Sequence, residues 1–483
     1  MTSLRNWLKK VDAAGELKTI SGADTDLETG FLTAENTKRY GPALLFEKMI
    51  GCHPESRMIT TVLRTPTRIS LALNLDTPRE TDEDLVRYLE NKPLEWEARA
   101  DEFEPELMET GPVFENIKEG NDINLFDIPA PKWHEGDGGQ YIGTGCVIIL
   151  KDPDTGRINL GCYRAMIQTK DSMTLYISPG KHGHLIMKKY HDQGLTCPVA
   201  VSLGHHPLLL IAATLNVPEH ISEYNYAGAM GHCNFPTIKS AASGLLIPAD
   251  AEMVLEGECP PDAFMPEGPF GEWTGYCAGG RKNAPVIKIK KIFHRKSPIV
   301  IGCSPAARGD QYEVTYWFSL FRSATLKSAL EAAGIPGIRG IWAHELGGGR
   351  QFVVVSIKQE YAGQAKQAAY VASQCREGAY AGRYVVVVDD DIDPVDIKEV
   401  VWALCTRTDP ERDIEIIKRG WSSRLDPMPS ADTVPEANAF FNSRGIIDAC
   451  IPFERLKSFP PRNTYSADVS DQLLKKWRGM FEW

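Results

Sequence analysis

Tyr141-Ile142-Gly143-Thr144-Gly145-Cys146-Val147-Ile148-Ile149-Leu150, followed after a polar turn by Arg157-Ile158-Asn159-Leu160-Gly161-Cys162-Tyr163-Arg164-Ala165-Met166, is the stretch that decides the fold. Apolar and β-branched residues come in short blocks cut by glycine, and further blocks stand at residues 199–203, 208–213 and 286–293. Short strands at this density, with turn residues between them, predict a β-barrel or sandwich rather than an alternating βαβ array. Along 159–164 the alternation places Asn159, Gly161 and Tyr163 on one face and Leu160, Cys162 and Arg164 on the other. An arginine among Leu and Cys needs either an anionic partner or an exposed edge, because an unpaired buried guanidinium is costly.

The texture changes on both sides of this β-rich block, which is expected to span 114–305. Upstream, Ser3 is a plausible N-cap for a helix with Leu4, Trp7, Leu8 and Val11 on one face. A second amphipathic stretch at 83–89 leads into an acidic, proline-containing connection at 101–112, so the first domain is read as 1–113, of α/β type. Downstream, 323–333 is helical in pattern and stops at Gly334-Ile335-Pro336. Residues 351–358 read as a strand, 362–375 as a helix, 384–388 as an all-apolar strand and 394–404 as a helix. That alternation implies a parallel, sandwiched sheet in an α/β domain at 306–465, with a terminal helix over 466–483 that docks on a neighbour. The fold class is therefore a multidomain α+β and α/β protein.

At 483 residues, about three domains of ordinary size are expected. The 53 Lys and Arg against 64 Asp and Glu leave a net charge of −11, and no basic block is present, so nucleic acid and anionic lipid are poor partners. No apolar run reaches the roughly 18 residues of a membrane span, and residues 1–10 have no signal-peptide core. The 11 cysteines are dispersed, without C-x-x-C or Cys/His ligand spacing, which points to reduced thiols in a cytoplasmic protein.

Chemistry concentrates in a few loops. In Pro266-Glu267-Gly268-Pro269-Phe270-Gly271-Glu272, glycines and proline exclude a regular helix. Two carboxylates on such a loop are either solvated acids or a pair aimed into one space, and a pair in unlike environments yields one ion and one proton donor. Ser178-Pro179-Gly180-Lys181-His182-Gly183-His184 reads as a loop with an H-x-H pair, and Glu223 follows an apolar run. Asn, His and Glu together suit Mn²⁺ or Mg²⁺ better than Zn²⁺. Gly347-Gly348-Gly349-Arg350 fits neither a dinucleotide nor a P-loop pattern, and no G-x-S-x-G elbow occurs. The acid run 389–393 reads as a turn closing a strand, and His205-His206 as structural. Tyr316-Trp317-Phe318 opens a helix and is either core or the wall of a pocket for a planar ligand.

Taken together and in order, several stretches resemble the UbiD family of reversible decarboxylases, which use prenylated flavin mononucleotide (FMN). They are residues 159–164, residues 178–186, Ser222-Glu223-Tyr224 with Ala227-Gly228, residues 267–272 with Thr274-Gly275-Tyr276, residues 385–394, and Trp402-Ala403 with Thr406-Arg407 and Pro410. The resemblance implies an N-terminal α/β domain, a central split β-barrel that binds the flavin, a C-terminal α/β domain and a terminal helix that makes a homodimer or higher homo-oligomer. It implies that Asn159, His182 and Glu223 hold a divalent metal, Mn²⁺ or Mg²⁺, against the flavin phosphate, with K⁺ nearby. Thr144, Lys181 and Arg164 fall where the family contacts the flavin. Arg383 stands where the family usually has a phosphate-binding lysine, a departure that keeps the charge and alters the geometry.

By the same resemblance Arg164, Glu267 and Glu272 form the catalytic network, with Glu272 the proton donor and Glu267 oriented by Arg164. Loss of CO₂ from an sp² carbon leaves a poorly delocalised carbanion, and in the family the modified flavin supplies the electron sink. Tyr312, Tyr316, Trp317 and Phe318 would wall the substrate pocket, suiting a flat aromatic or heteroaromatic acid of the indole, pyrrole or furan kind, with a cinnamic-type acid as runner-up. Such an enzyme depends on a flavin prenyltransferase for its cofactor and releases CO₂. Two other classes are compatible with parts of the sequence: a metal-dependent hydrolase using His182, His184 and Glu223 with Glu272 as base, and a non-catalytic flavin-binding subunit.

Overall fold

The computed structural model describes residues 2–277, 280–305, 308–423, 425–428 and 440–480. Residues 306–307, at the expected start of the third domain, and 481–483, at the end of the expected terminal helix, lie outside them. Helix Leu4–Ala13 opens the fold: Ser3 accepts from the Asn6 N–H, and Leu4, Trp7, Leu8 and Val11 are all buried. Their i, i+3, i+4, i+7 spacing puts one apolar stripe against the core. Strands Leu17–Ser21, Ala43–Glu47 and Arg57–Thr60 form the N-terminal sheet, and Ile299–Ile301, from the far end of the β-rich segment, adds to its edge in parallel with Arg57–Thr60. The chain thus returns from the middle of the molecule to complete its first sheet.

The central sheet has ten strands. Its main path runs Tyr141–Gly143, Arg164–Thr169, Ser172–Tyr176, Lys282–His294, Met253–Cys259, Cys197–Leu203, Val147–Lys151, Ile158–Gly161. Ile158–Gly161 and Arg164–Thr169 are six steps apart on that path, about 29 Å in a flat sheet. Only Cys162 and Tyr163 join them, a reach of roughly 11 Å. Tyr141–Gly143 and Val147–Lys151 stand equally far apart and are joined only by Thr144, Gly145 and Cys146. The sheet must therefore curl until its two ends approach, and both short links lie along the seam. This is the split barrel that the family resemblance implies, and of the two architectures read from the strand pattern, barrel or sandwich, it is the barrel. The single alternating strand read over 159–164 is instead two strands broken at the seam, so Arg164 starts a new strand.

Residues 208–213 correct another expectation: they lie in helix Pro207–Thr214, not in a strand. All seven residues from Pro207 to Ala213 are buried, so no polar face interrupts the apolar run. An all-round apolar helix of this length cannot be told from a buried strand by periodicity. Proline at its start and the His206 ring, accepting from the Leu208 N–H at 3.3 Å, set its first turn.

The C-terminal sheet runs Ile338–Ala343, Phe352–Ile357, Tyr384–Asp389, Phe441–Asp448, Ile414–Trp421. Its three inner strands are parallel, joined through helices Gln364–Gln374 and Ile397–Arg407, but both outer strands pair antiparallel. Residues 344–351 are too short a link for a parallel crossover, so Ile338–Ala343 turns straight back on its neighbour. Helix Glu313–Ala332 packs on this sheet's edge strand and carries the aromatic run into the centre of the molecule. Helix Ala467–Lys476 leaves Val469, Leu473, Leu474 and the following Trp477 exposed. Among the described residues no helix is long and apolar enough to cross a membrane.

Candidate active site

The seam of the curled sheet opens into a cavity of about 340 Å³. Gly143 and Thr144 from one link, Asn159, Leu160, Cys162, Tyr163 and Arg164 from the other, and Glu272 from the glycine–proline loop reach its wall. Gly161 is required there, because a Cβ would stand 2.4 Å from the Tyr163 ring. A separate cleft of about 460 Å³ near His53 and His294 contains none of the residues singled out from sequence.

Arg164 grips Glu267 with both arms: Nε to Oε1 and Nη2 to Oε2, each at 2.8 Å. Tyr141 donates its hydroxyl to the same carboxylate at 3.0 Å. The remaining guanidinium nitrogen, Nη1, contacts Glu272. Tyr176 and Phe270 rings flank the guanidinium, 4.7 and 5.6 Å from its carbon to their centroids. Arginine on the apolar face is thereby explained: it has two carboxylate partners and two aromatic walls. The loop that brings them is set by Gly268, whose φ of +89° and close approach to the Gly280 carbonyl exclude a side chain. A turn from Glu272 to Gly275, closed by the Gly275 N–H at 2.8 Å, fixes the second acid.

The two carboxylates are unequal. Glu267 is fully buried and receives three donors, two of them from one guanidinium. Glu272 has the single guanidinium contact and faces the cavity. Burial pushes the Glu272 carboxyl above its usual range against the pull of Arg164. Burial also works against the Arg164 charge but is outweighed by Glu272 and Glu267, which hold it firmly protonated. The arrangement therefore contains one locked carboxylate and one acid able to carry a proton to the cavity.

At another part of the wall, Glu223 is the first residue of helix Glu223–Gly231, capped by Ser222. It accepts from Asn159 Nδ2 at 2.7 Å and from the Leu160 N–H at 2.9 Å, and burial pushes its carboxyl up to about 7. Asn159 Oδ1 is buried with no partner. His182 also lines the cavity, its imidazole held neutral by burial. It begins helix His182–Asp192, so the loop read over 178–184 ends three residues early. A lone amide oxygen, a carboxylate costly to leave uncompensated and a neutral imidazole on one wall are the donor set of a divalent cation. His184, two residues along the helix, is off this wall, so the hydrolase set of His182, His184 and Glu223 is not assembled. Among the described residues no cluster of three His, Cys, Asp or Glu side chains could hold a metal.

The remaining expectations divide. Thr144 reaches the wall and accepts from the Cys303 N–H at 3.1 Å. Lys181 reaches it too, bonded to Asn216 at 3.2 Å, its amine brought down to about 7 by burial and by Arg350 and Arg322. Arg383 does not: its guanidinium pairs with buried Asp426 at 2.5 Å, away from the cavity wall. Of the aromatic set, Tyr312 and Phe318 line the cavity, whereas Tyr316 bonds Asp82 and Trp317 packs in the core. A 100° step per residue cannot turn three consecutive side chains to one pocket. Sequence reasoning missed Arg350, Trp273, Tyr380 and Trp421, which also line it. For Arg350 a signal existed: Gly348 and Gly349 both take positive φ, near +64° and +65°, to tuck the arginine under helix Glu313–Ala332.

Three family models match the chain in order: the 3-octaprenyl-4-hydroxybenzoate carboxy-lyase N-terminal domain over 8–89, its Rift-related domain over 106–308 and its C-terminal domain over 315–449. A phenolic acid decarboxylase of Bacillus subtilis (strain 168) is 33% identical over 437 residues, covering 88% of each chain. The UbiD-class enzyme HmfF of Pelotomaculum thermopropionicum, solved in complex with FMN, superposes with a TM-score of 0.82 at 28% identity, over 97% of this chain and 99% of the other. The vanillic acid decarboxylase of Sedimentibacter hydroxybenzoicus in its closed form gives a TM-score of 0.83 at 26% identity, over 100% and 99%. With all three domains matched, the fold shared end to end and the paired carboxylates meeting at the barrel seam, the chain belongs to the UbiD family.

Proposed function

We propose that the protein is a prenylated-FMN-dependent carboxy-lyase that reversibly decarboxylates an aromatic or heteroaromatic acid, with Glu272 as its proton donor. The observation that carries this reading is the inequality of the two carboxylates on Arg164. Glu267, bidentate to Arg164 and bonded by Tyr141, holds the guanidinium in place. Glu272, with its carboxyl pushed up by burial, delivers the proton to the substrate carbon as CO₂ leaves and recovers it in the reverse direction. When bound, the flavin supplies the electron sink that no side chain offers. Asn159, His182 and Glu223 would hold a divalent ion, Mn²⁺ or Mg²⁺, next to its phosphate, and the orphaned Asn159 Oδ1 supports that assignment. K⁺ beside it, and supply of the cofactor by a flavin prenyltransferase, follow from the family reading.

Flat rings on the wall, Trp273, Phe318 and Tyr380, exclude water and favour a planar substrate. Relatives named for phenolic and vanillic acids support an aromatic acid over an acrylic one. The exposed apolar side chains of helix Ala467–Lys476 support a homodimer. Eleven cysteines without a disulfide support a cytoplasmic location.

The test is co-expression with a flavin prenyltransferase, followed by denaturation and mass measurement of the released cofactor, and assay against a panel of aromatic acids. Prenylated FMN together with CO₂ release is expected. A protein that releases no flavin despite active prenyltransferase, yet remains active, would overturn the reading.

A further inference from the structure

Residues 137–141 run against the glycine–proline loop without themselves lining the cavity. The Gly138 N–H donates to the Pro269 carbonyl at 2.8 Å, and a Cβ on Gly138 would stand 2.0 Å from the Gly268 carbonyl oxygen, so the two backbones touch. Tyr141 donates to Glu267 at 3.0 Å and to the Pro269 carbonyl at 3.3 Å, and its ring centroid lies 3.9 Å from that of Phe270. These contacts hold the loop from Glu267 to Phe270. They stop short of Glu272, and the residue between, Gly271, has no side chain to pack and wide backbone freedom. Asp137 acts there. Its side chain is fully buried, Oδ2 accepts from the His134 N–H at 2.9 Å, and Oδ1 has no hydrogen-bond partner. Burial pushes the carboxyl up, opposed by the N–H groups of His134, Trp133 and Gly271 and by the His134 ring, whose Nδ1 stands 4.0 Å from Oδ2. Of these groups only the Gly271 N–H belongs to the proton-donor loop.

An acid that serves only its own turn bonds that turn from the solvent side, at little cost. Asp137 is instead buried, where a carboxylate must be compensated by the N–H groups around it and fixes those groups in return. We propose that Asp137 is a positioning residue for the proton donor: through the Gly271 backbone it keeps Glu272 turned to the cavity. It lies off the cavity wall, so it acts without touching substrate or flavin. The inference rests on the decarboxylase reading and adds to it a residue outside the Arg164, Glu267 and Glu272 network.

Two variants of the holoenzyme, Asp137→Ala and Asp137→Asn, test it with two readouts. The first is amide hydrogen exchange of the peptide spanning 266–276, which should quicken by about tenfold in Asp137→Ala while peptides of the C-terminal domain keep their wild-type rates. The second is turnover of whichever panel acid the wild type decarboxylates fastest: kcat should fall by about 30-fold in Asp137→Ala, because a small misplacement of the acid is felt in the chemical step. KM and flavin absorbance should stay within about twofold of wild type. Asp137→Asn, which keeps an acceptor oxygen, should recover most of both losses, and it carries the test alone if the alanine variant does not fold. Unchanged loop exchange, or a loss of kcat, KM and flavin together with faster exchange throughout the chain, would overturn the proposal. So would an asparagine variant that restores loop exchange but not kcat, since the charge of Asp137 and not its hold on the loop would then be what matters. If the wild type turns over no acid, the decarboxylase reading falls, and loop exchange still decides whether Asp137 holds the loop.

Discussion

Arg164 and Arg407 each hold two carboxylates, and they do opposite things. Arg407 bonds Asp389 at 2.8 Å and grips Asp391 with both nitrogens at 2.8 and 2.7 Å. Asp389 also accepts from Gln359 at 2.7 Å and from the Ile451 N–H at 2.6 Å, and Asp391 takes a further contact from Arg462 at 3.3 Å. The Arg407 hydrogen bond is the main reason the Asp391 carboxyl lies below its ordinary range. The cluster clamps the end of strand Tyr384–Asp389 to helix Ile397–Arg407. At the barrel seam Glu267 is held in the same way, but Glu272 has one contact, a cavity in front of it and a carboxyl pushed up rather than down. The difference teaches that residue type does not separate a clamp from the proton donor proposed above. The number of donors on each carboxylate does, together with whether one of them faces open space.

The sharpest way to break this comparison is to neutralise one acid in each cluster. Glu272→Gln should lower kcat of the holoenzyme by about 10³-fold or more, while bound flavin, read from its absorbance, is retained. Asp391→Asn should leave turnover per folded molecule within about twofold, because nothing reactive faces it. Comparable losses in both variants would mean that the contrast in donor number is not what matters.

A smaller effect, on stability alone, sharpens the other half. Arg407→Met should destabilise the protein by about 3 kcal/mol in urea, since it leaves the buried Asp389 without its cation, whereas the exposed Asp391 keeps Arg462. Its kcat should stay near wild type. A variant as stable as the parent would show that Gln359, Arg462 and the Ile451 N–H suffice for the clamp.

The same contrast explains what was legible in the amino-acid order. Glu267 and Glu272 stood out because glycine and proline surround them, and Arg164 because it sat on an apolar face. Both signals are local. That they meet depends on the curl of a ten-stranded sheet, a long-range property which no window of sequence contains. Helix Leu4–Ala13 was legible through its cap and stripe, whereas Pro207–Thr214 was not, because complete burial erases amphipathic period. Tyr316 and Trp317 were misplaced by treating adjacent residues as one wall, which helical geometry forbids. Arg383 carried the right charge at the right order in the chain, but Asp426, 43 residues away, claims it.

A third class of buried ionisable group lacks any charged partner, and it yields the smallest effect. His205 is 1% exposed, its Nδ1 3.3 Å from the Ser202 hydroxyl and its Nε2 without a partner. Burial, opposed by a bond to Ser202, lowers the imidazole to about 3. The unfolded chain takes up a proton on this ring as pH falls through its ordinary value of 6.5, and the folded chain does not until about 3. Proton binding then favours unfolding, so stability contributed by the neutral ring is present above pH 6.5 and is lost as pH falls below it. At pH 5 the loss from this one group is about 2 kcal/mol. His205→Gln, which cannot charge, should remove that share, so the gap between wild-type and variant unfolding free energies should shift by about 2 kcal/mol in favour of the variant between pH 7.5 and pH 5. His206, likewise lowered to about 3 by burial, keeps its own share in both proteins and cancels in the difference. A gap that does not move with pH would mean that the folded protein protonates His205 as readily as the unfolded chain does.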